Sequence, residues 1–399
     1  MVYDDLIIGS GLSALATAYG LCEQNRVCVL AGSERPELQW YDKQSRIPCS
    51  NNGQGGLGAY WHGVIPMGQP SAFFDADRAL FEELFNRFYP EPLYERFGRP
   101  WLFVPYRPIR PSLHWRKICS ERANFSMSPV KANRFERANG FWNIFAGNEC
   151  YQARRIWLGA GALATPTLLE NSPEFSGSAR SHISDHVILY LGRLDRKLHP
   201  QVPTPQIERK ATGVWMLGNY DSTGSGLITT KPARFSYAKL DHGIEQRSAF
   251  GLPISGLMSK VLSAGSLGLI SESLFNKLGF FPDADQLNAY AQIRIGDAYE
   301  MSLDQSGIKP DVKKIQQDIQ KFRASLDWSV LEPSRKPELF IRGIHLHNSV
   351  DMALLERSGY LSEFNFFIVD PSGISDIGPE HHSFKVMVRA YSLAKASQK

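Results

Sequence analysis

The chain has 399 residues, 43% hydrophobic and 21% charged, proportions that exclude disordered, collagen-like and fibrous states. Lys and Arg total 44 against 40 Asp and Glu, a formal charge of +4. That excess is small and no concentrated basic stripe accompanies it, so no nucleic-acid partner is expected. At roughly 150 residues per domain the length predicts two or three domains, or one nucleotide-binding domain with a large insertion.

The five cysteines (Cys22, Cys28, Cys49, Cys119 and Cys150) are scattered and never form a CxxC pair. They suit neither a zinc site nor a disulfide framework, and reduced thiols in a cytoplasm are expected. A strand begins almost at the first residue, which leaves no room for a signal peptide. No apolar run reaches the roughly 18 residues that a membrane span needs.

Leu6-Ile7-Ile8 reads as a short apolar strand, and Leu15 to Leu21 as a helix. Between them lies Gly9-Ser10-Gly11-Leu12-Ser13-Ala14, a G-x-G-x-x-A turn in the context that dinucleotide binding demands. Gly9 permits the tight turn, Gly11 lets a pyrophosphate approach the backbone, and Ala14 is small enough for close helix–strand packing. The helix N-terminus adds N–H groups and partial positive charge. A second strand, Arg26 to Leu30, follows without the usual terminal acid; Glu34 or Ser33 is the nearest ribose partner.

Asn51 to Gly63 holds five glycines and runs into Tyr60, Trp61 and His62, a backbone that must pass close to something flat or anionic. Arg107 to Pro111 reads as a loop. Arg154 to Ala162, followed by a helix from Thr165 to Leu169, repeats the strand, glycine turn and helix of the N-terminus. Ile188 to Leu194 alternates like a strand of a sheet lying over a ligand. Pro200 to Pro205 reads as another loop. Phe250 to Phe281 is apolar but broken by Lys260, Glu272 and Lys277, and reads as a buried or lid-forming helix pair, or as a docking surface for lipid or a partner. Lys313 to Arg323 is an amphipathic helix with a solvated face, and Phe384 to Ala394 is a final helix. Ahead of it lie four histidines, His345, His347, His381 and His382. No carboxylate or cysteine stands at ligand spacing around them, so no metal is expected.

These blocks together resemble the glucose-methanol-choline (GMC) family of FAD-dependent oxidoreductases. Gly55-Gly56-Leu57-Gly58-Ala59-Tyr60-Trp61 is similar to the family's flavin loop, in the form closest to pyranose oxidases. Tyr60 stands where some of those carry a histidine bonded to the flavin, so the resemblance implies non-covalent FAD. Leu158 to Ser172 resembles A-A-G-A-x-x-T-P-x-L-L-x-x-S, and Ser184-Asp185-His186 resembles the L-x-D-H step. Tyr290 to Gly307 resembles a family strand pair. His345 to Met352 resembles the catalytic H-x-x-G-T-x-x-M, with Asn348 and Ser349 in place of Gly and Thr. Phe366 to Gly373 looks like V-V-D-A-S, and Ile377 to His382 like the stretch before the last family helix.

The resemblance implies an α/β chain, α+β overall. A discontinuous Rossmann-like FAD-binding domain (1–70, 120–185 and 340–399) would carry an inserted substrate part of β-sheet and helices (71–119 and 186–339). It implies oxidation of an alcohol carbon of a sugar, polyol or glycoside, with hydride passing to the flavin. His345 would be the base and His381 its oxygen-holding partner, with His382 the alternative at that second position. The implied cofactor contacts are Gly9, Ser10, Gly11, Leu12, Ser13, Ala14, Glu34, Gly55, Gly56, Tyr60, Trp61, Val130, Ala160, Gly161, Asp370 and His382. His62, His347 and Asn348 would face substrate. Oxygen, a quinone or a protein would accept the electrons. A hydrophobic or lipid-linked alcohol, met at a membrane surface through 250–281, is the second reading. A non-catalytic flavoprotein or binding subunit is the third, left open by the missing Gly-Thr and strand-end acid.

Overall fold

The computed structural model describes residues 2–35, 37–40, 48–60, 63–67, 78–93, 96–97, 99–201, 206–220, 225–232, 285–301, 308–326, 329–333, 340–342, 345–359, 361, 364–380 and 382–398. Trp61, His62, His381 and the segment 250–281 lie outside the described residues, and of Tyr60 the backbone alone is described.

The first sheet contains β1 (Val2–Ile8), β2 (Val27–Leu30), β7 (Phe125–Ser128), β8 (Arg134–Ala138), β9 (Phe141–Ala146), β10 (Glu149–Leu158) and β20 (Phe366–Ile368). Its order is β7-β2-β1-β10-β9-β8, with β20 also paired to β10. β1 runs parallel to both neighbours, with Leu6 opposite Cys28 on one side and Ile156 on the other. Strands covered on both faces need apolar residues at every position, which is why Leu6 to Ile8 and Val27 to Leu30 are unbroken runs rather than alternating ones. The long β10 serves twice: its first half pairs antiparallel with β9, and its second half parallel with β20.

One face of this sheet is covered by α1 (Leu12–Gly20), α2 (Arg78–Phe88), α3 (Pro111–Glu121) and the C-terminal helix α7 (Ser383–Ala396). Leu15, Phe85, Trp115, Trp157, Phe384 and Tyr391 share the core between them. Each such side chain withdrawn from water contributes about 1.5–3 kcal/mol. The segment 71–119, which the sequence places with the substrate part, supplies two helices to the core against the first sheet. Pro111, read as the end of a loop, opens α3, a position where a missing N–H costs nothing. The opposite face packs Phe135, Trp142, Phe175 and Phe366 into a second core. On the Ile7 and Trp157 side of the sheet, Asp5, fully buried, accepts from Arg155 Nε at 2.6 Å, Trp157 Nε1 at 2.9 Å and Asn25 Nδ2 at 2.8 Å.

α4 (Ala164–Glu170) follows the turn after β10. The second sheet contains β11 (His182–Asp195), β14 (Asn219–Tyr220), β15 (Gly226–Pro232), β16 (Gln286–Met301), β17 (Ile308–Pro310), β18 (Leu331–Pro333) and β19 (Phe340–Arg342). Its backbone is the antiparallel pair β11–β16, which contains the alternating run Ile188 to Leu194. α5 (Val312–Ala324) lies against this sheet through Ile315, Ile319 and Phe322, capped where the Asp311 side chain accepts from Lys314 N; Lys313, Gln316 and Gln317 face solvent. A smaller sheet of β5 (Ile65–Pro66), β6 (Trp101–Pro105), β12 (Ile207–Arg209) and β13 (Gly213–Leu217) and the hairpin of β3 (Leu38–Trp40) and β4 (Pro48–Asn51) complete the strands. α6 (Met352–Arg357) follows the segment 345–350, and that segment ties the sheets together. His347 exchanges backbone bonds with Ser184 on β11, while Ser349 and Val350 donate to Ser372 O beyond β20. No described helix is long and apolar enough to cross a membrane.

Candidate active site

Three glycine turns converge at the carboxyl ends of the parallel strands. Gly9 takes φ +107°, a left-handed conformation open to glycine, and a Cβ there would stand 2.2 Å from Gly159 O. The turn after β1 and the turn after β10 therefore lie backbone against backbone. Gly159 in turn brings Ala14 within 3.2 Å of where its own Cβ would be, so α1 docks as closely as its small residue allows. The third turn closes over the first: Gly55 N donates to Ser10 Oγ at 2.9 Å, and Ser10 Oγ donates to Ala31 O at 2.9 Å. Asn51 organises that loop, accepting from Gly53 N and donating to Gly56 O. Trp115 Nε1 donates to Ser10 O at 2.7 Å and locks the first turn from beneath. Neither Trp115 nor Asn51 belongs to a recognisable motif.

Two glycines in this cradle face open space. A Cβ on Gly11 would meet nothing nearer than Gly55 O at 3.9 Å, and one on Gly161 would meet nothing within 4 Å. Gly11 is also the N-cap of α1, and no side chain caps that helix. The first-turn N–H groups thus point at room where phosphate oxygens would be held by backbone donors and the helix dipole. The residues present fit a dinucleotide. Leu12 and Ser13 open α1; Val130 O accepts from Gly32 N beside the end of β2, and Glu34 is exposed just past that strand.

Asp370 plays a firmer structural part than the sequence suggests. One carboxylate oxygen accepts from Gly161 N at 2.7 Å and Thr165 Oγ1 at 2.5 Å, the other from Ser372 N and Oγ. It joins the second glycine turn, beside Ala160, to the turn after β20. The Arg389 guanidinium lies nearby, its pKa pushed down to about 10 by burial against the pull of Asp370.

A cluster of four imidazoles from three separate segments is tied to the second glycine turn through the turn after β20: Asn348 N donates to Pro371 O, next to Asp370, which accepts from Gly161 N. His345 and His382 have ring centroids 4.6 Å apart, His186 and His382 4.9 Å, and His347 lies 5.6 Å from both His186 and His382. Asp185, fully buried, holds two of them by the backbone: Oδ1 accepts from His345 N and from His186 N, each at 2.7 Å. His382 is the N-cap residue of α7. Glu380 and Lys385, both buried, form an ion pair across that helix start. Burial raises the Glu380 carboxyl and the Lys385 charge opposes the rise.

His347 is fully buried, and its Nδ1 lies 2.9 Å from His345 O. A carbonyl only accepts, so Nδ1 carries the hydrogen and Nε2 the lone pair; Nε2 is buried without a hydrogen-bond partner. Desolvation pulls its pKa down to about 4, so the ring is neutral near pH 7. Asn348, in the place of the family's glycine, adopts φ +61°. Asparagine is among the few non-glycine residues that enter this region readily. Its Nδ2 donates to Asp297 Oδ1 at 3.3 Å.

No protein-family model and no curated protein matches the sequence. In three dimensions the chain is similar over 99% of its length to pyridoxine 4-oxidase from Mesorbium loti, with TM-score 0.54, 13% identity and 99% of that chain covered. It is likewise similar to a variant of Aspergillus oryzae formate oxidase, with TM-score 0.51, 12% identity and 99% and 98% of the two chains covered. An FAD-dependent oxidoreductase from Chaetomium thermophilum gives TM-score 0.52 at 12% identity, with 99% of each chain covered. The fold is that of the GMC flavoproteins. Within this fold the blocks Gly9–Ala14, Gly55–Gly56 and Ala160–Gly161 meet in one cradle. His345, His347 and Asn348 fall beside it, and His382 supplies the ring that stands next to His345. Asp185 and His186 were marked by their D-H motif but not read as part of the site.

Proposed function

We propose that the chain is an FAD-dependent oxidoreductase that oxidises an alcohol carbon of a small sugar, polyol or glycoside. The observation that carries the reading is the His345–His382 pair, 4.6 Å between centroids, beside a glycine cradle with room for a dinucleotide. FAD, held without a covalent link by Gly9 to Ala14, Gly55, Gly56, Ala160 and Gly161, would supply a two-electron acceptor. His345 would take the hydroxyl proton, since a neutral imidazole is a base matched to pH 7. His382 would hold the same oxygen from the other side. This assigns to His382 the role that resemblance gave first to His381, because the His382 ring packs on His345.

Asp185 would fix where His345 sits by accepting its backbone N–H. The buried Leu346, His347 and His186 exclude water behind the pair. Asn348 and Ser349 count against a degenerate site, since Asn348 keeps a glycine-like φ. Purified protein should show a flavin spectrum, with the FAD released by denaturation. Anaerobic addition of sugars and polyols should bleach it with at least one member of the set. A protein that rejects added FAD would be a binding subunit of another kind.

A further inference from the structure

We propose that His186, His347 and His382 form a divalent transition-metal site of the class that takes Zn2+. One ring nitrogen from each of the three buried residues lies within 4.8 Å of the other two. Folding creates this set: His186 comes from β11, His347 from the segment paired to it, and His382 from the start of α7. Sequence spacing, which weighs ligands on one local element, does not reveal it.

The hydrogen bonds around the rings have the form that metal-binding imidazoles need. A ligating histidine donates its other ring N–H to a carbonyl or carboxylate, which sets the tautomer and aims the lone pair. His347 Nδ1 gives its hydrogen to His345 O at 2.9 Å, and His186 Nε2 gives its hydrogen to Gly378 O at 2.6 Å. The His347 Nε2 lone pair, buried and without a partner in the protein, points into the cluster as a donor atom awaiting an acceptor. A buried polar atom left so costs stability, and a cation relieves it.

Three imidazoles with no thiolate suit Zn2+, Cu2+ or Ni2+ and disfavour Mg2+ and Ca2+, which take oxygen ligands. Tetrahedral ligands at about 2.0–2.1 Å from Zn2+ stand about 3.3 Å apart. The ligand nitrogens therefore close by up to about 1.5 Å when the ion binds. Three protein ligands leave a fourth position for water or a small anion. The site shares His382 with the proposed substrate pair, so a bound ion and a substrate oxygen compete for one imidazole. Metal occupancy would then hold the oxidoreductase off.

The test is equilibrium dialysis of the holoprotein, first freed of metal with EDTA, against ZnCl2 in the presence of excess Mg2+. Metal per chain is counted by mass spectrometry and flavin per chain by absorbance. The expected result is one Zn2+ per chain, weakened in His347→Gln and in His186→Gln by more than the about 10- to 100-fold that loss of a supporting contact costs. His114→Gln, on the far α3, should bind as wild type. X-ray absorption at the zinc edge of the wild-type protein should show imidazole nitrogens at about 2.0–2.1 Å, whatever the variants do. A zinc count near zero, equal retention in His347→Gln folded with full flavin, or an oxygen or sulfur shell without imidazole overturns the site. The flavin count is read separately, so a flavin-free protein that binds zinc would refute the oxidoreductase reading and leave the metal site standing.

Discussion

The cradle and the histidine cluster lie side by side but are built by opposite means. The cradle is backbone: glycines whose missing side chains let three turns touch, with Gly9 against Gly159 and Ser10 against Gly55. The cluster is side chains carried on three segments, two of which one buried carboxylate, Asp185, joins through the backbones of His186 and His345, the latter 160 positions from Asp185 in sequence. A backbone cradle tolerates almost no change of residue type at its contact points. A side-chain cluster tolerates exchanges that keep the local conformation, as Asn348 does in a glycine's place.

The contrast also explains what could be read before folding. G-x-G-x-x-A and the second glycine turn are legible because close backbone approach leaves no choice but glycine. The same holds for Leu6 to Ile8, since a doubly covered parallel strand must be apolar throughout. His345 is legible through its motif frame alone. His186 as a site member, and the packing of His382 on His345, depend on the register of β11 with 345–350, and no periodicity encodes that. Trp115 is invisible for a related reason: a lone tryptophan on an amphipathic helix does not show that it will hydrogen-bond Ser10. That the helices of 71–119 pack on the first sheet is likewise invisible, because chain position carries no packing information.

Substitutions test the contrast from its strongest side downward. Gly9→Ala should cost more than about 3 kcal/mol, because its Cβ meets a backbone oxygen and its φ is strained. Gly11→Ala should leave the melting temperature of the apoprotein near wild type while FAD affinity falls at least about tenfold, since its Cβ would occupy the space left for phosphate. Equal destabilisation by both would break the division between a contact glycine and a ligand-facing glycine.

Asp5→Ala should cost about 3 kcal/mol by leaving the buried Trp157 donor unpaired and breaking the ion pair to the half-buried Arg155, without changing the flavin environment. It marks the price of a buried charge outside the site.

The acid side of stability reports on His347. Its folded pKa of about 4 lies below the ordinary 6.5, so the unfolded chain binds the extra proton first. This ring's contribution is constant above pH 6.5 and falls by about 3 kcal/mol as pH drops from 6.5 to 4. In metal-free His347→Gln, denaturant melts across that range should lose this slope. An unchanged slope would show that the ring is not buried neutral.

The smallest effect belongs to Asn348. Asn348→Gly should keep activity and change stability by less than about 1 kcal/mol, whereas Asn348→Ala should cost about 1–2 kcal/mol from the left-handed φ.

The account's central claim is that His345 and His382 work on one oxygen beside a flavin. The most direct measurement is the anaerobic flavin-reduction rate, at saturating substrate, for wild type, His345→Ala, His382→Ala and the double variant, each with flavin retained. The account predicts a loss of about 100- to 10,000-fold in each single variant and little further loss in the double. Wild-type rates in either single variant, or losses that simply multiply in the double, would contradict it.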